Sequence, residues 1–171
     1  MKKILLFALL FVCIGLSAQN LSLNELIALR KMDLDQVESF LTKKGWHYKT
    51  GESPEEGKLG KAQFVYGTGG DFDYAESFLT FYYPVYGENR IDIQIGKSQK
   101  ATEYLEAVKR FAPSPINTKV ENGNLIKIYA GATTTFEFTT TKSRNRFGND
   151  LASWHLFIVE NKDYETQFGY F

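Results

Sequence analysis

The spacing of apolar positions changes at Gly45 and again near Gly96, and these two changes organise the chain. Residues 21–44 read as two short helices. Ser22 and Glu25 have capping-box spacing, in which the cap oxygen accepts from the N3 amide and the N3 side chain reaches back; Asp33 and Gln36 repeat it. Leu34, Val37, Phe40 and Leu41 put an apolar stripe on one side of the second helix. Lys43 and Lys44 suit a helix C-terminus, and Gly45 stands where a left-handed C-cap residue belongs. Trp46 and Tyr48 then begin an alternation of period two.

Residues 46–51, 61–66 and 76–85 read as strands, separated by a polar loop at 52–60 and a glycine-rich one at 67–74. In residues 90–95, Ile91, Ile93 and Ile95 alternate with Arg90, Asp92 and Gln94, the mark of a half-buried antiparallel strand. Helical spacing returns at 98–112 with Ala101, Tyr104, Leu105, Val108 and Phe111; Ser98 or Thr102 is the cap, and Pro113 and Pro115 are the stop. Asn122-Gly123, between strands at 116–121 and 124–130, is a hairpin signal because a type I′ turn needs positive φ at both positions. Two more strands are expected at 133–141 and 153–159. Residues 142–150 read as a basic loop and 164–171 as an aromatic tail of unassigned state.

The pattern predicts an α+β fold: an antiparallel sheet of about eight strands with helices packed on one face. A division at 95/96 leaves residues 19–95 and 96–171, and in each half a helical stretch precedes four strands. This is an internal repeat of pattern without residue identity, or else a single α+β unit carrying a helix in mid-sequence. In that order of elements the chain resembles the β-lactamase inhibitory proteins, which are small, secreted and bacterial and have a tandem helix-plus-four-strand fold. The resemblance implies that architecture and a protein-binding face. It carries over no inhibitory loop residue, and the family's disulfides have no counterpart, since Cys13 is the single cysteine.

The N-terminus changes the picture of where the protein works. Lys2 and Lys3, an apolar run over residues 4–16 and the small residue Ala18 lay out a secretory signal peptide, residues 1–18. The run is too short for a stable membrane span. The expectation is export to the periplasm or the extracellular space as a cysteine-free chain, whose stability comes from a packed core and not from disulfides. Without Lys2 and Lys3 the 20 basic residues fall to 18 against 20 acidic ones. With no basic block to neutralise phosphates, nucleic acid is not an expected partner. An eight-stranded membrane barrel is disfavoured by the two helical stretches and by a C-terminus that does not alternate as a barrel's last strand does.

Candidate chemistry is sparse. His47 and His155 are the only histidines, and no serine elbow, phosphate loop or helical metal motif occurs, so no metal or cofactor is expected. Asp71, Asp73 and Glu76 form a loose carboxylate group with too few oxygens for calcium. A small envelope hydrolase would need His155 or His47 to meet Asp71, Asp73 or Asp150 in three dimensions. The conspicuous feature is aromatic: 14 Phe, 10 Tyr and 2 Trp, concentrated on strands. Phe78 and Tyr82 share one face of their strand while Phe81 and Tyr83 share the other, and Phe64 and Tyr66 share a face of theirs. Together with Tyr48 and Trp154, these eight residues are the candidate binding residues, since aromatic side chains are enriched at interface cores. The expected function is a secreted or periplasmic non-catalytic binding protein that recognises a protein partner through an aromatic sheet face. The alternatives are the small hydrolase and a carrier of an apolar ligand.

Overall fold

Both capping boxes form, and they set where the first two helices begin. Ser22 accepts from the Glu25 amide at 3.3 Å and its own amide donates to the Glu25 carboxylate at 2.8 Å, opening α1 (Leu23–Leu29). Asp33 and Gln36 make the same exchange at 2.8 and 3.2 Å to open α2 (Leu34–Lys43). Gly45 then turns the chain with φ of +81°, a conformation that costs a residue without Cβ little. The computed structural model describes residues 20–67, 75–144 and 150–168. Residues 1–18, where a signal peptide is expected, and the loop carboxylates Asp71 and Asp73 lie outside the described residues.

Eight strands form one antiparallel sheet: β1 (His47–Glu52), β2 (Gly60–Tyr66), β3 (Ser77–Tyr83), β4 (Arg90–Ile95), β5 (Asn117–Glu121), β6 (Asn124–Ala130), β7 (Thr134–Arg144) and β8 (Asp150–Glu160). Their order across the sheet is β1-β2-β3-β4-β8-β7-β6-β5. Each half of the chain contributes a four-strand meander. The two meanders meet at β4 and β8, where Ile91, Ile93 and Ile95 lie opposite Ile158, Leu156 and Trp154. The Asn122-Gly123 turn between β5 and β6 has φ of +50° and +79°, as its dipeptide requires.

Between the meanders runs α3 (Ser98–Phe111). Its N-cap is Lys97, without a side-chain cap bond, and not Ser98 or Thr102; the Thr102 hydroxyl donates to the Ser98 carbonyl inside the first turn. α1, α2 and α3 all bury their apolar faces against the same side of the sheet. Leu26, Leu29, Val37, Leu41, Tyr104 and Val108 meet Phe64, Leu79, Phe81, the three isoleucines of β4, Phe136 and Leu156 in one core drawn from both halves. The Tyr104 hydroxyl donates to the Leu21 carbonyl at 2.8 Å and so ties α3 to the start of α1; burial pushes its pKa upward. Arg30, 1 % exposed, sits 3.6 Å from Glu88 of the β3–β4 turn, and the Asn89 side chain donates to the Arg30 and Met32 carbonyls.

β7 and β8 run into the loop expected at 142–150, ending at Arg144 and beginning at Asp150, because they pair residue for residue that far. Two further differences from the sequence pattern have physical reasons. Trp46 does not start a strand: it is fully buried, its indole donating to Asn20 at 3.1 Å and its ring 5.4 Å from Tyr66. The C-terminal aromatic stretch is helical, α4 (Asn161–Phe168), and it packs on the opposite side of the sheet from the other three helices. There Tyr164 is buried with Ile126, Ile128 and Val159. Asn161 pins the start of α4 to the β6–β7 connection, donating to the Gly131 carbonyl and accepting from the Thr135 hydroxyl. Among the described residues no helix is long and apolar enough to cross a membrane.

Phe81 is fully buried at the centre of this core, stacked on Tyr83. Truncation to alanine is expected to cost about 3–5 kcal/mol of stability, through lost burial and the cavity left behind, read as a lower urea midpoint with unchanged slope.

Candidate functional site

The side of the sheet away from α1–α3 is covered over only part of its width, and the strand register fixes what it presents. One row across the sheet runs Val65, Phe78, Gln94, His155 and Thr139. The next runs Gln63, Thr80, Asp92, Phe157 and Glu137, and a third begins Lys61, Tyr82 and Arg90. Phe78, Thr80, Tyr82, Gln94, His155 and Thr139 are all partly exposed. Lys49, at the irregularity in β1, holds its ammonium 4.9 Å from the centre of the Phe78 ring, a cation–π contact.

α4 walls this face on one side. Its Tyr164 hydroxyl donates to Glu137 at 2.7 Å, and Asp163 lies 3.7 Å from the Arg90 guanidinium, which also bonds Gln167. Beyond Arg90 the face opens into a cleft of about 930 Å³ whose lining includes Pro54, Pro84, Tyr86, Arg90, Asp163 and Gln167. The surface therefore combines two half-exposed rings, amide and hydroxyl groups, and both signs of charge within a few strands.

The eight aromatic residues singled out in the sequence divide by face. Phe64 and Phe81 are fully buried beneath the helices, and Tyr66, Tyr83 and Trp154 pack partly buried against that same core. These five stabilise the fold, and the two phenylalanines present no surface to a partner. Tyr48 is 54 % exposed at the β1 edge, edge-on to Phe64. Only Phe78 and Tyr82 stand on the open face. The alternation of the strand separated Phe78 and Tyr82 from Phe81 and Tyr83, but which pair faces the helices depends on packing between distant segments.

Sequence spacing gave no hint of Asp92 as the neighbour of His155. The two approach to 3.5 Å across the β4–β8 junction, one from each half of the chain. Of the carboxylates named for a histidine partner, Asp150 is five residues along β8, about 17 Å away at strand spacing. His47 lies opposite Val65, and Thr139, directly across from His155, donates to Glu137 and not to the imidazole. Among the described residues no three His, Cys, Asp or Glu side chains are grouped as metal ligands would be.

Interaction with the Asp92 carboxylate raises the His155 pKa above its ordinary value of 6.5, against the opposing effect of burial. A folded-state pKa above the unfolded one means that this pair stabilises the fold fully below the unfolded pKa. The contribution is lost as pH rises through the folded pKa. Asp92→Asn is expected to bring the His155 titration back toward or below 6.5, followed by NMR of the imidazole Hε1 signal, and to flatten the stability–pH curve above pH 6.5. No family model, curated protein or solved structure matches this chain, so its chemistry has to be read from its own residues.

Proposed function

We propose that this is an exported, non-catalytic binding protein that recognises a protein partner on the half-covered side of its sheet. The observation that carries the reading is the one-sided cover of the first meander: helices shield Phe64, Leu79 and Phe81, while Phe78, Thr80 and Tyr82 on the same strands remain partly open. An isolated exposed aromatic needs no explanation. Two on one strand face, beside Arg90 and walled by α4, have the aromatic-plus-arginine composition enriched at recognition surfaces. The signal-peptide pattern of residues 1–18 supports a partner in the cell envelope or outside the cell. The resemblance to β-lactamase inhibitory proteins leans the same way, toward a sheet face that meets another protein.

The hydrolase reading has one observation in its favour, the His155–Asp92 pair. Among the described residues it lacks a hydroxyl poised on the imidazole, because Thr139 is turned toward Glu137. If the protein were a hydrolase, His155→Ala would abolish turnover of ester, peptide or glycoside substrates. The binding reading expects no such turnover from the parent protein.

Affinity capture against host envelope and secreted proteins tests the binding reading. Once a partner is isolated, the Phe78→Ala/Tyr82→Ala variant is expected to bind it at least about 30-fold more weakly, the loss of ~2 kcal/mol that truncating a central aromatic contact brings. The thermal midpoint should stay close to that of the parent. Undiminished binding by this variant would overturn the assignment of the face.

A further inference from the structure

Among the described residues the sheet has two unpaired edges, β1 and β5, and they are built differently. β1 shifts register between Tyr48 and Thr50, an irregularity that interrupts any ladder a further strand would extend. β5 is regular, pairing residue for residue with β6 from Asn117 to Glu121. Its Val120 is 73 % exposed, and the cross-strand neighbour Leu125 is 39 % exposed. Both belong to the row that continues through Thr140 and Trp154 to Ile95, on the side of the sheet that carries α1–α3. A regular edge strand ending in an uncovered aliphatic row is what natural sheets ordinarily avoid unless something pairs with it.

The hairpin geometry says which backbone groups are available. Glu121 and Asn124 flank a two-residue turn and so form a hydrogen-bonded pair. Val120 and Thr118, one and three residues back, fall in the alternate pairs, whose N–H and C=O groups point away from β6 toward the open edge. We propose that β5 pairs antiparallel with β5 of a second copy across a two-fold axis at Val120, so that one sheet continues through a closed dimer. Val120 then meets its symmetry mate, extending the aliphatic row as Leu125, Val120, Val120 and Leu125. On the other side of the sheet Lys119 stands opposite the partner's Glu121, and the reciprocal pair forms by symmetry. Within one copy these two side chains are already 2.9 Å apart, so the dimer gathers four alternating charges.

Neighbouring registers are worse. Moving the axis to Lys119 sets two ammonium groups directly across from each other, which is destabilising. Moving it to Thr118 asks for the amide of Ile116, which instead donates inward to the Ile128 carbonyl at 2.8 Å. Head-to-tail growth through β1 would need the irregular edge, so the association closes at two copies.

The test is sedimentation velocity on purified protein over a concentration series, with exposed-site variants that leave the core untouched. The parent is expected to show a concentration-dependent dimer. Lys119→Glu and Glu121→Lys should each weaken it about tenfold, by turning two attractive cross-strand pairs repulsive, and the double variant should return to within about threefold of the parent. Val120→Cys, on the axis at a spacing of roughly 5.5 Å, should oxidise to a disulfide-linked dimer, while Thr118→Cys should not. A parent monomeric up to millimolar concentration overturns the proposal. So does a dimer indifferent to both charge reversals, or one that Thr118→Cys links and Val120→Cys does not. Circular-dichroism melts matching the parent establish that each variant is folded.

Discussion

The junction of β4 and β8 is the constraint on which everything else rests. Two meanders become one layer because Ile91, Ile93 and Ile95 face Ile158, Leu156 and Trp154 across a single ladder. Three helices then find a continuous apolar surface on one side, with Tyr104 bonded to the Leu21 carbonyl to lock helices from different parts of the chain together. The same ladder brings Asp92 to His155 on the other side. One pairing thus sets both the core and the most polar part of the surface.

The two sides of the sheet are unequal because α4 is short and buries only one of its side chains, Tyr164. Tyr164 fills the gap over Ile126, Ile128 and Val159, and its hydroxyl donates to Glu137. That cover stops near Arg90, where Asp163 and Gln167 meet the guanidinium. From there to β1 the sheet is a single layer backed by helices, and its second surface is free to carry Phe78, Tyr82 and their polar neighbours.

Local physics wrote much of this fold into the sequence. Capping at Ser22 and Asp33, the left-handed turn at Gly45, the isoleucine alternation of β4 and the Asn122-Gly123 hairpin depend on residues within a few positions of each other, and all are found where the pattern puts them. The misses have a common cause. Trp46 leaves its alternation because distant Asn20 and Tyr66 supply partners for its indole. α4 has only Tyr164 as a buried residue, so its helical period is too faint to register, and it is pinned by Asn161 to residues about thirty positions earlier. The candidate site suffered in the same way. Alternation could sort the aromatics into two sets, but not say that Phe64 and Phe81 belong under the helices or that His155 meets Asp92.

The position of β8 has a consequence for how the molecule comes into being. The strand nearest the end of the chain is flanked by β4 and β7, in the middle of the layer and not at its rim. Until that last segment is in place, the earlier meander keeps an open ladder along β4, and the core beneath α3 lacks Leu156 and Ile158. A polypeptide that ends short of residue 150 therefore loses the strand that joins the two meanders and not merely a trailing piece.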